Sequence, residues 1–89
     1  MDTSNLIETY GVSSTNNRFT VSEDGFLYVY ATVKSNTSVT LDGLIVTYEN
    51  GTNGGSSLVI PVRKGSEHVI GSNSWSNVAT VNTGLYGII

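Results

Sequence analysis

The chain has 89 residues, of which 12% are charged, and its formal net charge is −3. It lacks cysteine, which excludes disulfides and thiolate metal sites, and its four cations are too few and too scattered for a nucleic-acid-binding surface. No apolar run approaches the roughly 18–20 residues of a membrane helix, and the N-terminus does not resemble a secretory signal, so we expect neither nucleic acid nor membrane as a partner.

The rest of the composition favours β-structure. Twelve serines, eleven threonines, nine asparagines and ten glycines accompany an apolar fraction of 38%. Residues that favour helices are scarce, whereas β-branched and aromatic residues are plentiful and alternate with polar ones along the chain. A chain of this length forms one domain, so we predict a single all-β domain over residues 1–89.

The first predicted strands lie at residues 17–21 and 26–33, separated by a turn at residues 22–25. In the second strand Phe26, Tyr28 and Tyr30 point to one side while the residues between them point to the other. Both sides are apolar, and the pattern alone does not say which one meets the core. We predict that one side meets the core and the other meets a neighbouring subunit or a covering loop, with Phe26, Tyr28 and Tyr30 as the candidate subunit contacts.

Residues 39–48 predict a hairpin. Asp42-Gly43 separates two β-rich runs, which is the typical signature of a two-residue type I′ turn. A polar loop is predicted at residues 49–57, because this stretch holds three glycines and no apolar residue.

The remaining predicted strands are short. Pro61 assigns the strand at residues 58–62 to a sheet edge or a bulge, because proline cannot donate to a strand ladder. Three further strands are predicted, at residues 66–71, 78–81 and 85–89. Seven or eight strands at roughly ten-residue spacing indicate an antiparallel β-sandwich of the jelly-roll type.

His68 is the one histidine, and it follows a charged turn that contains Lys64 and Glu67. Glu67 and His68 are adjacent in a predicted strand, so their side chains point to opposite faces and do not converge with Lys64. A Ser-His-Asp triad is formally available, but no G-x-S-x-G elbow is present and twelve serines make a chance pairing easy. We therefore predict no catalytic residues and no enzymatic activity.

Metal and cofactor motifs are also missing from the sequence. Asp24 and Asp42 stand in turns, but no calcium-loop pattern surrounds them, and the glycine-rich stretch near residue 54 lacks the lysine of a phosphate-binding loop. We expect no cofactor and no bound metal.

Trp75 is the one tryptophan and lies in a polar loop between Asn73 and Asn77. An aromatic face surrounded by amides is typical of sugar-binding loops, so these three residues are the candidate contacts for a glycan or a protein partner. The alternative is that Trp75 folds back over the core or fills a subunit interface, where burial of its large surface is favourable.

Three segments resemble the β-sandwich knobs of bacteriophage fibres. "FTVSEDGFLYVYATV" resembles their opening "T-A-P-x-D-G-Y/F" strand, "TSVTLDGLIV" resembles the hairpin that follows, and "IPVRKGSEHVI" resembles their "v-P-V-k-K-G-D-x-v" segment. The order and spacing hold over residues 19–71. The chain differs in having Val21-Ser22 in place of Ala-Pro and Ser66 where aspartate is common.

The resemblance implies a trimeric jelly roll similar to domains of the complement-C1q and tumour-necrosis-factor type. The expected function is then that of a non-enzymatic structural protein of a tailed-phage virion, made in the host cytoplasm. Its expected partners are copies of itself in a homotrimer and other virion proteins, and a role in binding a host-surface glycan stays open. The chain lacks the glycine-repeat or coiled-coil stalk that fibre knobs usually follow, which leaves room for a head-fibre or capsid-decoration protein besides a tail-fibre knob. A free-standing carbohydrate-binding module is the first alternative, and a small hydrolase is the second.

Overall fold

The strands of the computed structural model, which describes residues 1–88, form two four-stranded antiparallel sheets. One sheet has the order β1-β8-β3-β6 and the other has the order β2-β7-β4-β5. The strands within residues 1–88 are β1 (Leu6–Thr9), β2 (Arg18–Thr20), β3 (Gly25–Val33), β4 (Thr37–Leu41), β5 (Leu44–Glu49), β6 (Gly54–Val62), β7 (Glu67–Ser72) and β8 (Val78–Tyr86). A short 3₁₀ turn at Trp75–Asn77 precedes β8.

The strand order is that of a jelly roll. The strand pairs β1·β8, β2·β7, β3·β6 and β4·β5 are all antiparallel, as in one long hairpin that has been rolled up so that alternate pairs fall in opposite sheets. The predicted all-β jelly-roll sandwich is therefore confirmed.

The core lies between the sheets and is filled by one side of each inner strand. In β3 every second residue is buried, including Leu27, Val29 and Ala31, and β4 repeats this alternation. This arrangement follows from the period-2 geometry of a strand, which sends the aromatic residues of β3 to the outer side. The largest fully buried apolar side chains are Leu27, Leu41, Ile70, Leu85, Val21, Val29 and Val39.

The predicted hairpin is confirmed. Asp42 and Gly43 join β4 to β5 with φ values of 52° and 84°, and a type I′ turn requires positive φ at both central residues. Aspartate tolerates this conformation better than most side chains, and glycine adopts it without steric cost. Pro61 also lies where predicted, because β6 is the edge strand of its sheet.

Two predictions about the strands were wrong, and one strand was missed. The loop predicted at residues 49–57 ends at residue 53, because Gly54–Ser57 pairs with the end of the long strand β3 and this pairing outweighs the low β-propensity of the glycines. The two strands predicted at 78–81 and 85–89 are one strand, β8, and Ile89 lies outside the described residues. Strand β1 was not predicted, since its four residues are all exposed and show no alternation. No helix in the described chain is long and apolar enough to cross a membrane.

Candidate functional site

The outer side of the sheet that contains β3 carries a continuous group of apolar and aromatic side chains. The pairing register places Tyr28 between Val59 of β6 and Gly84 of β8, and Phe26 between Pro61 and Tyr86. We call this surface the aromatic face, and define it by Leu6, Phe26, Tyr28, Tyr30, Val59, Pro61 and Tyr86. Leu6 is 50% exposed and Val59 is 39% exposed, while the four aromatic residues are half-buried.

The rings of Tyr28 and Tyr86 meet edge to face, with their centroids 6.2 Å apart at an interplanar angle of 86°. Gly84 makes room for this arrangement: a Cβ added there would lie 3.1 Å from Cε1 of Tyr86 and 3.2 Å from Cδ1 of Leu6. Edge-to-face contact is a favoured geometry for aromatic pairs. Packing around Gly84 and the edge-to-face contact thus define the positions of the Tyr28 and Tyr86 rings on the aromatic face.

The sheet beneath the aromatic face is almost without charge. Strands β3, β6 and β8 have nine residues each, and none of them contains Asp, Glu, Lys or Arg. The opposite sheet, by contrast, carries the exposed pair Arg18 and Glu67, whose Nη1 and Oε1 atoms lie 3.4 Å apart. Depletion of charge together with enrichment in tyrosine and phenylalanine is the composition of the core of a protein interface.

His68 occupies a different part of the molecule, inside the sandwich end formed by the β6–β7 turn and the β4–β5 hairpin tip. It is 7% exposed. Its Nε2 lies 2.7 Å from Oγ of Ser66, and its Nδ1 lies 2.6 Å from Oδ2 of Asp42. Asp42 is held in place by a hydrogen bond from the Val69 amide to its Oδ1, at 2.8 Å. We call Asp42, Ser66, His68 and the Arg63 carbonyl the His68 network.

The order of the contacts in the His68 network is that of a serine-hydrolase triad, but the backbone amides of residues 64 to 66 are already engaged. Acyl transfer needs backbone or side-chain donors aimed at the developing oxyanion next to the nucleophile. In the described structure, the amides of Lys64, Gly65 and Ser66 donate to Asp24, Val21 and Arg63 respectively, at 2.8–3.0 Å. The Ser66 hydroxyl itself donates to the Arg63 carbonyl at 2.7 Å. These three amides already donate hydrogen bonds within the fold. They are therefore not free to stabilise an oxyanion next to Ser66.

The sequence predicts that Glu67 and His68 point to opposite faces of a strand, and the structure confirms this. Glu67 is on the outer surface beside Arg18, His68 is inside, and the Lys64 amide bonds to Asp24. The contacts of His68 with Ser66 and Asp42 were not predicted from the sequence. The spacing of Ser66 and His68 places both on one side of a strand and could have suggested their contact. No local signal points to Asp42, which is 26 residues from His68.

The side chains of Asp24 and Asp42 accept hydrogen bonds within the fold. Oδ1 of Asp24 accepts from the Lys64 amide, and both carboxylate oxygens of Asp42 contact β7. Residues 1–88 contain no group of three or more His, Asp or Glu side chains that could hold a metal ion. These side chains join the loops at one end of the sandwich.

Trp75, Asn73 and Asn77 all make contacts within the fold. Trp75 is half-buried and packs against the core. Oδ1 of Asn73 accepts a hydrogen bond from the Ser38 amide, and its Nδ2 donates to the Asn36 carbonyl. The carbonyl of Asn77 accepts a hydrogen bond from the Lys34 amide at 2.8 Å. Asn73 and the backbone of Asn77 thus hold neighbouring loops, and a glycan or partner contact by these three residues stays a prediction.

Comparison of the chain with protein-family models, curated proteins and solved structures finds no match.

Proposed function

We propose that this protein is a non-enzymatic structural component of a tailed-phage virion and that it assembles as a homotrimer through the aromatic face. The observation that carries the proposal is the aromatic face itself, in which every residue except Leu6 of β1 lies on β3, β6 or β8, three strands without a charged residue. A contiguous apolar surface of this kind on a small domain marks an interaction site.

Self-association also fits the size of the chain. A domain of 89 residues buries a smaller fraction of its surface than a larger one, and small domains commonly gain stability from disulfides, metals or oligomers. The chain has no cysteine, which leaves association as a source of additional burial. A second copy is the partner whose surface is guaranteed to have the same uncharged, tyrosine-rich character.

Assignment to a phage particle rests on the resemblance over residues 19–71, and the jelly-roll strand order is compatible with it. The proposed location is a head fibre, a capsid decoration or a tail-fibre knob. In each of these places the protein would contact other virion proteins. Binding of a host-surface glycan would be an additional role. The absence of enzymatic activity is supported by the His68 network, in which the amides next to Ser66 are already engaged.

The interface is tested by Tyr28→Asp, with Tyr48→Asp as the matched control. Tyr48 is 55% exposed on β5 of the other sheet, so the same chemical change is made away from the aromatic face. A carboxylate buried at an interface without a partner is costly. We expect light scattering to show trimers for the native chain and for Tyr48→Asp, and monomers for Tyr28→Asp, with circular dichroism confirming that both variants fold.

Native chains that remain monomeric at every concentration tested would overturn the trimer. Equal dissociation by Tyr28→Asp and Tyr48→Asp would overturn the placement of the interface on the aromatic face.

The location is tested by quantitative mass spectrometry of purified particles from phage whose genome encodes this chain. We expect the protein in intact virions at a copy number divisible by three. Its absence from particles, together with tight binding of the isolated protein to a glycan array, would favour the carbohydrate-binding module instead.

The non-enzymatic part is tested with a fluorophosphonate probe, which labels activated serines. We expect no labelling of Ser66 and no ester hydrolysis that disappears in His68→Ala. Stoichiometric labelling that is abolished by both Ser66→Ala and His68→Ala would show a working triad and contradict this part of the proposal.

A further inference from the structure

The segment that joins β5 to β6 contains two Asn-Gly pairs, Asn50-Gly51 and Asn53-Gly54. No other asparagine of the chain precedes a glycine. An asparagine in this position can react with the backbone of the next residue, because glycine lacks a Cβ and leaves its amide nitrogen open to the side-chain carbonyl carbon. The two pairs are close together and similar in sequence, so the fold is what can distinguish them.

The Asn50-Gly51 pair is free to rearrange. Both residues are exposed and lie between the strands, and Gly51 has a φ of +95° with no atom within 4 Å of a Cβ built on it. Within residues 1–88, neither the Asn50 side chain nor the Gly51 amide takes part in a hydrogen bond with another protein group. Attack of the Gly51 nitrogen on Cγ of Asn50 requires rotation of the Asn50 side chain and of the adjoining main chain. No protein contact opposes that rotation.

The Asn53-Gly54 pair is held at both residues. The Ser35 amide donates a hydrogen bond to Oδ1 of Asn53 at 3.2 Å. Gly54 is the first residue of β6 and is paired with Val33 of β3. The Glu49 side chain packs against it, since a Cβ built on Gly54 would lie 2.5 Å from Oε1 of Glu49. The same attack at Asn53 would turn its side chain away from Ser35 and bend the paired start of β6.

We propose that Asn50 is a site of spontaneous deamidation and that the fold protects Asn53 from the same reaction. The Gly51 amide nitrogen gives its proton to the solvent and attacks Cγ of Asn50. A C–N bond forms, the bond from Cγ to Nδ2 breaks, and Nδ2 takes up a proton and leaves as ammonia. Water then opens the five-membered succinimide at either carbonyl and gives aspartate or isoaspartate. One water is consumed and one ammonia is released, so water is the one co-reactant. This inference does not depend on the proposed virion role or on the trimer.

The product changes the charge and the main chain of this segment. A new carboxylate at position 50 stands beside Glu49 and makes the net charge of −3 more negative by one unit. In isoaspartate the main chain also runs through Cβ and Cγ, which lengthens the segment by one backbone atom. Strands β5 and β6 are edge strands of different sheets, so the added atom lies in a connection between sheets and outside the strand ladders. We therefore expect the modified chain to stay folded.

The hydrogen bond from Ser35 sets the smallest expected difference between the two sites. Asn53 must lose this bond before its Cγ can be attacked, whereas Asn50 has no such bond to lose. One net hydrogen bond corresponds to a roughly 2- to 10-fold difference in rate, and the pairing of Gly54 with Val33 adds to it. In the unfolded chain neither restraint exists, so the two sites should react at similar rates there.

The test incubates the native chain at pH 8, folded in buffer and unfolded in urea, and follows each asparagine by peptide mass spectrometry. In the folded chain we expect Asn50 to be converted at least roughly 2- to 10-fold faster than Asn53, with ammonia released in step. In urea the two rates should converge. Asn50→Gln should abolish the first phase of ammonia release, because glutamine must close a six-membered ring and does so far more slowly. Asn53→Gln is the matched control and should leave that phase unchanged.

Equal conversion of Asn50 and Asn53 in the folded chain would overturn the proposal. So would an Asn50 that stays intact in the folded chain while it reacts in urea. If urea leaves the ratio of the two rates unchanged, the preference comes from the flanking sequence and the protection of Asn53 by the fold is wrong. The native chain alone decides these outcomes, so they do not depend on either variant.

Discussion

Oδ1 of Asp24 accepts a hydrogen bond from the Lys64 amide at 2.8 Å, although the two residues are 40 positions apart. The bond joins the loop before β3 to the turn after β6, and so ties the start of β3 to the end of β6 at one end of this antiparallel pair. The carboxylate thereby satisfies an amide of a turn that has positive φ at Gly65.

Removing this contact should destabilise the fold modestly. We expect Asp24→Ala to lower the free energy of unfolding by about 0.5–1.5 kcal/mol, the net value of one hydrogen bond near the surface. Asp24→Asn keeps an acceptor oxygen and should cost less. Urea denaturation of the two variants measures the difference, and equal losses would show that the bond to Lys64 is not the source of the effect.

Gly43 tests the hairpin turn. Its φ is +84°, and no atom lies within 4 Å of a Cβ built there, so a substitution is opposed by backbone conformation alone. We expect Gly43→Val to destabilise the protein by more than about 1 kcal/mol, because a β-branched residue is disfavoured at positive φ. Gly11→Val is the control, since Gly11 also has open space around it and lacks a positive φ. A melting temperature that is insensitive to Gly43→Val would contradict the type I′ assignment.

Leu41 and Leu44 are paired across the same hairpin but differ in burial, with exposed fractions of 0% and 53%. Leu41→Ala should therefore cost about 2–5 kcal/mol, from lost burial and the cavity that remains. Leu44→Ala makes the same chemical change on the surface and should cost less than about 1 kcal/mol. Denaturation midpoints compare the two variants directly. Similar losses of stability would show that the Leu41 side chain does not lie in the core.

Loss of the Tyr10 phenol proton should destabilise the folded protein at high pH. Its ring stacks on Phe19 with centroids 4.6 Å apart, and burial, followed by the hydrogen bond with Glu8, raises the pKa of Tyr10 above its ordinary value. The folded chain thus holds the phenol proton to higher pH than the unfolded chain, whose tyrosines titrate near pH 10. This contribution is complete below about pH 10 and is lost as pH rises through the folded pKa.

The matched variant is Tyr10→Phe, which retains the ring but has no proton to lose. Its melting temperature should fall less between pH 9 and 11 than that of the native chain. A constant offset is expected in addition, because the hydroxyl oxygen accepts from the Ser22 amide at 3.3 Å. Parallel melting curves across this range would refute the role of the Tyr10 proton.

Much of the fold follows from local patterns. The alternation of β3 predicts a strand with two distinct sides, since successive side chains must point in opposite directions. Asp42-Gly43 predicts the hairpin, since few residue pairs accept two positive φ values in succession. Pro61 predicts an edge strand for an equally local reason, the missing amide donor.

Strand ends and strand β1 depend on distant partners instead. Gly54 and Gly55 are extended because Val33 and Thr32 of β3 lie beside them, and β1 exists because β8 offers an edge. Neither segment has a strong preference of its own, so pairing energy decides its conformation.

The amino-acid sequence by itself determined the all-β class, the β4–β5 hairpin turn and the aromatic character of one side of β3. Only the tertiary structure decided that Leu27 and Val29 face the core while Tyr28 faces outward, because both sides of the strand are apolar. It also decided that Asp42 reaches His68. A turn aspartate and a strand histidine have no local reason to meet, and rolling the paired strands into two sheets places the hairpin tip against β7.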